Sequence, residues 1–115
     1  MRSFDLFEHL DFGGKGQGRA VYADHEGRAL RFSLSEGEEI KQFHAHSPTY
    51  VVVLNGKGLF RGGDGEETEA GPNTMVIFDN GEGHSVRAVG GDLIFVAVLH
   101  GAPQADENHA PVSTI

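Results

Sequence analysis

The sequence contains no cysteine, and only nine of its 115 residues are lysine or arginine. The absence of cysteine excludes disulfides, thiol nucleophiles and cysteine-based zinc sites, so any bound metal must rest on histidine, aspartate or glutamate. The basic residues are scattered and the net charge is -8. Because this charge repels the phosphate backbone of nucleic acids, we predict no nucleic-acid partner.

Long apolar runs and an N-terminal signal segment are also missing. No run approaches the roughly 20 apolar residues that cross a bilayer. Asp5 lies where the apolar core of a secretory signal would be found. The sequence therefore predicts a cytoplasmic protein that does not interact with a membrane, and its length fits one domain.

Glycine, in contrast, is abundant, because 17 glycines and four prolines divide the chain into short pieces. Beyond the first twelve residues no stretch carries a helical period. The pattern instead predicts short β-strands about every ten residues, at 21–24, 29–34, 40–46, 49–54, 59–61, 67–70, 75–78, 84–88 and 93–99. This spacing is typical of an all-β sandwich or barrel, which we place at residues 19–100.

The two ends of the chain differ from this barrel region. Residues 1–18 carry a short apolar face that fits either a short helix or an edge strand. Residues 101–115 form a polar tail with too few apolar groups to become ordered unless it packs on a partner subunit. A small barrel with open sheet edges also favours association, so we predict a homodimer.

Three histidines are the leading candidates for a metal site. His44 and His46 are two residues apart on a predicted strand, so their side chains project to the same face. His84 follows the glycine-rich loop 79–83 and begins another strand, which a barrel can bring beside the pair. Three imidazoles suit one divalent transition metal ion (zinc, iron, nickel, copper or manganese) and leave positions for water or substrate. The alternative is a pair of half-exposed strand histidines without a ligand.

Two motifs around these histidines resemble those of the cupin superfamily. The first motif has the form G-x5-H-x-H-x3-E-x6-G, and its glycines and histidines are matched by Gly37, His44, His46 and Gly56. The second usually ends in P-x-G-x-x-H, and its places are taken by Asp79, Gly81 and His84. The resemblance is to small, single-domain, RmlC-like cupins. It implies a double-stranded β-helix, the cupin jelly-roll barrel, that holds a divalent metal through such histidines.

The motif's glutamate has no counterpart here, because counting back from Gly56 puts Thr49 in its place. A hydroxyl is a far weaker metal ligand than a carboxylate. The resemblance therefore implies a site of three histidines plus water. It also implies that the barrel lacks the carboxylate that would serve as an evident acid or base beside the metal.

The spacing of the first motif conflicts with its histidines. Counting from either motif glycine places Phe43 and Ala45, rather than His44 and His46, on the histidine positions. Because side chains alternate between the two faces of a strand, one extra residue at 41–42 and a tightened turn after the pair would restore the histidines to the interior. We therefore predict a β-bulge at this point.

Four further residues are weaker candidates for the same pocket: Gln42, Thr49, Tyr50 and His100. His100 ends the predicted strand 93–99 and could line the barrel mouth, the alternative being a surface position. The sequence leaves two functions open. One is a metal-dependent enzyme of the dioxygenase, isomerase, decarboxylase or lyase type that acts on a small polar molecule. The other is a non-catalytic module that binds or senses a metal or small ligand.

Overall fold

The computed structural model describes residues 1–12, 18–101 and 112–114, and these residues form eight β-strands. The strands are β1 (Gly18–Ala23), β2 (Gly27–Leu34), β3 (Glu39–Phe43), β4 (Thr49–Arg61), β5 (Glu67–Ala70), β6 (Met75–Phe78), β7 (His84–His100) and β8 (Val112–Thr114). The predicted all-β class is confirmed. Within the described ranges no helix is long and apolar enough to cross a bilayer.

Two long strands, β4 and β7, run through both layers of the fold. Residues 57–61 of β4 pair with β5 and with residues 85–90 of β7, whose first half also pairs with β3. Residues 49–53 of β4 pair with β6 and with residues 95–99 of β7. The first sheet is therefore β3-β7-β4-β5. The second sheet is β8-β1-β2-β7-β4-β6.

The corner between the two sheets explains why two predicted breaks between strands are absent. The predicted strands 49–54 and 59–61 form the single strand β4, and the predicted strands 84–88 and 93–99 form the single strand β7. Gly56 adopts a φ of 74°, and a Cβ atom there would overlap the carbonyl oxygen of Asp92. Glycine thus permits a bend and a close approach of two backbones, rather than a hairpin.

The apolar core fills the space between the inner faces of the two sheets. Phe60 of the first sheet contacts two aromatic rings of the second, with ring centroids 5.8 Å from Phe95 and 6.4 Å from Phe78. Phe32 stacks on Phe95 at 4.9 Å. The remaining core is mostly aliphatic: Leu30, Leu34, Ile40, Ala45, Val51, Val53, Ala70, Val86, Ala88, Leu93, Ala97 and Leu99. Burial of these side chains is the main stabilising contribution to the fold.

The described residues 1–12 form neither the helix nor the edge strand that the apolar pattern of the N-terminal segment predicted. Its residues 6–9 make a turn over the outer face of the second sheet. The buried guanidinium of Arg31 donates hydrogen bonds to the carbonyl oxygens of Leu6, Glu8 and His9. A helix would need such carbonyls for its own backbone N–H groups, so the long-range contact replaces the helical pattern.

The end of the C-terminal tail forms a short strand. Residues 112–114 form β8, which pairs in parallel with β1 of the same chain. The rest of the predicted tail, residues 102–111 and 115, lies outside the described residues.

Candidate functional site

A cavity of about 470 Å³ opens where β7 begins, at one end of the first sheet. Its lining consists of His44, Arg61, Gly62, Gly63, Gly83, His84 and Ser85. The three glycines leave space that larger side chains would fill. Sites for small molecules commonly have volumes of about 300 to 1,000 Å³, so the cavity is large enough for such a ligand.

His84 is the most firmly positioned polar side chain of the cavity. It is only 4% exposed, and its ring stacks on Phe78 with centroids 4.0 Å apart and planes inclined by 11°. Its Nδ1 atom lies 3.0 Å from the carbonyl oxygen of Glu82. A carbonyl oxygen only accepts hydrogen bonds, so Nδ1 carries the proton and Nε2 carries the lone pair. In this tautomer the buried atom Nε2 is the ring nitrogen with the chemistry to accept a hydrogen bond or bind a metal.

The surroundings of His84 also keep its ring neutral. Burial lowers the pKa of His84 below its ordinary value of 6.5, because the charged form loses hydration. The hydrogen bond to the carbonyl of Glu82 and the charge of Glu82 raise this pKa, whereas nearby His44 lowers it. Burial dominates, so His84 is a neutral imidazole near neutral pH.

The side chain of Glu82 holds together two of the loops around the cavity. One carboxylate oxygen accepts a hydrogen bond from the backbone N–H of Asp79, and the other accepts one from Gly63, both at 2.8 Å. A Cβ atom at Gly62 would lie 2.6 Å from this carboxylate, so a larger residue there would displace the side chain of Glu82. Sequence reasoning did not single out Glu82, although a carboxylate inside the glycine-rich loop 79–83 is the signal that could have found it.

A β-bulge is present at residues 41–42, but it does not give the predicted register, because Phe43 rather than His44 pairs with His84 and Ala45 is buried. Ile40 pairs with Val86 and Phe43 pairs with His84, so β3 has one residue more than β7 between these pairs. The strand ends at Phe43. His44 follows directly, is half-buried, and lines the cavity together with His84.

His46 does not reach the cavity with the other two histidines. Ala45 is 4% exposed and belongs to the core, whereas His46 is exposed. The rings of His44 and His46 have centroids 6.3 Å apart. Metal–nitrogen bonds of about 2.1 Å would bring two neighbouring imidazole ligands to a centroid distance of about 5 Å. The structure therefore brings two of the three predicted ligands together and leaves the third outside.

Among the described residues, no group of three histidine, aspartate or glutamate side chains is arranged to hold one ion. Thr49, which takes the place of the motif's glutamate, is buried with its neighbours of β6 and β7. The side chains therefore fit a complete three-ligand metal centre only in part. His44 and His84 are the members that face the same space.

The other predicted pocket residues lie elsewhere. Tyr50 pairs with the exposed Val98 on the outer face of the second sheet, and the ring of His100 meets the ring of Tyr50 there at 5.8 Å. The side chain of Gln42 lies outside the described residues. Tyr50 and His100 are thus surface residues of the sheet, whereas Thr49 is part of the interior.

The fold and this cavity define a class of protein, a small double-stranded β-helix with a histidine-lined opening at one end of the barrel. The sequence matches the Cupin_2 family, described as a cupin domain, over residues 30–99, and the chain belongs to this family. Cupin domains commonly bind a metal ion. The predicted fold and family are therefore confirmed.

Several solved structures share the whole fold. A double-stranded β-helix protein from Klebsiella pneumoniae superimposes with a TM-score of 0.83 at 21% identity, covering 95% of this chain and 98% of that one. A protein from Thermus thermophilus superimposes with a TM-score of 0.80 at 21% identity, covering 90% of this chain and 100% of that one. An RmlC-like cupin from Desulfovibrio desulfuricans superimposes with a TM-score of 0.72 at 24% identity, covering 86% of this chain and 96% of that one. No curated protein matches the sequence significantly.

Proposed function

We propose that this cupin is a binding module that takes up a small polar molecule in the cavity beside His44 and His84. The observation that carries the proposal is that both imidazoles line one cavity of about 470 Å³. The lone pair on Nε2 of His84 accepts a hydrogen bond from the ligand. The stacking on Phe78 and the contact with the carbonyl of Glu82 hold that nitrogen in place before the ligand arrives.

The carboxylates near the cavity favour binding over acid–base catalysis. Both oxygens of Glu82 already accept hydrogen bonds from backbone amides. Thr49 replaces the carboxylate that the family motif would supply. General acid–base catalysis requires a group within hydrogen-bond reach of the transferred proton, with a pKa near the working pH. Among the described residues, the lining of the cavity contains two imidazoles and no carboxylate, so a carboxylate in the lining does not supply the acid or base.

A metal-dependent enzyme is the second candidate. In this alternative His44, His46 and His84 hold one divalent transition metal ion, such as zinc, iron, nickel, manganese or copper. The acceptor nitrogen of His84 and the presence of His44 in the same cavity favour it. Because His46 is exposed, the segment 44–46 must adopt another conformation to complete the triad. A metal held there would polarise a substrate oxygen or activate water.

Elemental analysis of protein purified without an affinity tag separates the two candidates. The binding-module proposal predicts much less than one metal ion per chain, with no change in a His46→Ala variant. The metal-dependent alternative predicts about one ion per chain, and loss of this ion in a His44→Ala, His46→Ala double variant. Stoichiometric metal that survives the double variant would contradict both assignments.

The binding proposal itself is tested by NMR on protein labelled at the histidine ring nitrogens. A library of small polar fragments is screened for compounds that shift the ring signals of His44 and His84. A His84→Phe variant keeps an aromatic ring against Phe78 but has no ring nitrogen, so it should lose these compounds. A His25→Phe variant, altered at a side chain that is 88% exposed, should retain them. Equal binding by His84→Phe, or a screen that leaves both ring signals unmoved, counts against the proposal.

A further inference from the structure

The lining of the cavity beside His44 and His84 includes an arginine, Arg61. Of the described residues that line this cavity, Arg61 alone carries a fixed charge, because the others are glycines, the two histidines and Ser85. The guanidinium group of arginine does not lose its proton in proteins. The cavity therefore has a local positive charge, although the chain as a whole has a net charge of -8.

Strand pairing places Arg61 next to the other polar groups of the cavity. Arg61 ends β4 and pairs with Ser85, which directly follows His84 at the beginning of β7. Side chains of directly paired residues lie on the same face of a sheet, about 5 Å apart. His84 and Ser85 project to opposite faces, yet both line the cavity, because it opens at the end of these two strands. A small molecule in this opening can contact groups from both faces.

Arg61 has one partner outside the cavity. Its Nη2 atom lies 3.2 Å from a carboxylate oxygen of Glu67 on β5, and these side chains are 57% and 41% exposed. Ion pairs at such exposed positions are weak, because water screens the two charges. A guanidinium also has five N–H donors, so the pair with Glu67 leaves donors of Arg61 for a ligand.

We propose that the ligand of this cavity is a small hydroxy acid with one carboxylate, which binds the guanidinium of Arg61. This inference rests on the proposed binding function, in which Nε2 of His84 accepts a hydrogen bond, here from the hydroxyl group. The planar guanidinium matches a carboxylate through two parallel hydrogen bonds. One fixed positive charge balances one negative charge. A phosphate group carries about -1.5 to -2 near pH 7, and its excess charge would be repelled by Glu82, whose carboxylate contacts Gly63 of the lining.

Matched pairs of probes measure the preference for a charge separately from binding itself. The probes are lactate, glycerate and mandelate, each compared with its primary amide, which keeps the hydroxyl group but has no charge. They are titrated into chelator-treated protein labelled at the histidine ring nitrogens, at constant ionic strength and about pH 8, where the acids are ionised. At least one acid should shift the ring signals of His44 and His84. It should bind about fivefold to tenfold more tightly than its amide.

An Arg61→Gln variant removes the fixed charge from the cavity. The affinity for the acid should fall to that for its amide, and the affinity for the amide should stay the same. Arg87→Gln is the matched control. Arg87 is also exposed, lies on the same face of the first sheet two residues beyond Ser85, and is not part of the cavity lining. This control loses the same charge and should keep the preference for the acid.

A Glu67→Gln variant should change the affinity in the opposite direction. It releases Arg61 from its ion pair, so the acid should bind about twofold to fourfold more tightly, with no change for the amide. Glu69→Gln is the control for this variant. Glu69 lies on the same strand and is exposed, but its carboxylate pairs with Lys57 at 3.7 Å. Its substitution should leave the affinity for the acid unchanged.

The possible results separate this inference from the proposed function. Equal affinity of the wild type for acids and amides, or an unchanged preference in Arg61→Gln, would overturn the inference and leave the binding function intact. Tighter binding of inorganic phosphate than of every acid would also overturn it. If neither acids nor amides move the two ring signals, the inference and the proposed function both fail. If Arg61→Gln does not fold, the comparison of Glu67→Gln with Glu69→Gln decides.

Discussion

The stability of the protein should depend on pH through His84. In the folded state burial lowers the pKa of this histidine below its ordinary value of 6.5. At a pH between these two pKa values the unfolded chain binds a proton at His84 that the folded chain does not. The contribution of His84 to stability is therefore fully present above about pH 6.5. It is lost progressively as the pH falls toward the pKa of the folded state.

One proton sets the size of this effect. A single proton that binds only the unfolded chain changes the free energy of unfolding by at most about 1.4 kcal/mol per pH unit. In metal-free protein treated with a chelator, we expect a slope of about half this limit at pH 6.5, which steepens as the pH falls while it stays above the pKa of the folded state. Urea unfolding, measured in steps from about pH 7.5 to about pH 5, gives the free energy of unfolding at each pH.

A His84→Phe variant isolates the contribution of this one histidine. Phenylalanine keeps a ring against Phe78 and binds no proton, so the variant should lose the additional slope below pH 6.5. At neutral pH, the difference in the free energy of unfolding between the wild type and the variant measures the contacts that the substitution removes, and it serves as the reference. Parallel curves for the wild type and the variant throughout this range would refute the conclusion that His84 is buried in its neutral form.

Four further substitutions test the backbone contacts around the barrel. Arg31→Met removes charge-assisted hydrogen bonds to three carbonyls and should lower the free energy of unfolding by about 2 to 4 kcal/mol. Proteolysis of residues 1–12 should also be faster in this variant than in the wild type. An unchanged urea midpoint of unfolding would contradict the prediction. Gly56→Ala should cost more than about 2 kcal/mol, because its φ is positive and its Cβ position is filled. Gly83→Ala, with open space at its Cβ, should change stability by less than about 0.5 kcal/mol. Glu82→Gln leaves one acceptor oxygen for two backbone amides, so hydrogen exchange at one of these amides should accelerate, and unchanged protection of both would argue against this contact.

The barrel and its β-bulge could be predicted because both depend on local pattern. Apolar alternation between glycine-rich breaks gave the positions of most strands. Counting residues between the motif glycines predicted one extra residue at 41–42, where β3 has its bulge, but this bulge pairs Phe43 rather than His44 with His84. A bulge changes the number of residues on one strand only, so a count along the sequence detects it.

The orientation of His46 could not be predicted because long-range contacts determine it. The backbone N–H of Gly81 binds the carbonyl of Ala45, and the backbone N–H of His100 binds the hydroxyl of Ser47. Ala45 and Ser47 are both buried, and the residue between them is exposed. Alternation along a strand predicts side-chain direction only while the strand continues, and β3 ends before this segment.

The continuity of β4 and β7 also escaped prediction, since glycine marks turns and sheet corners alike. The segment around Gly56 has the composition of a hairpin turn. Such a segment forms a hairpin if the residues after it pair with the strand before it, and it forms a sheet corner if the strand continues into the other sheet. Strand pairing with β7 decides this, and β7 lies more than twenty residues further along the chain.

The two strands that run through both sheets have a consequence for folding kinetics. Gly27 pairs with His100 and Thr49 pairs with Leu99, so the second sheet can form only after long stretches of chain have been closed into loops. The first sheet shares β4 and β7 with it, and neither sheet has a complete set of strands without the other. We therefore expect folding in a single cooperative step, on a timescale of roughly milliseconds to seconds, as for other β-proteins with distant pairings.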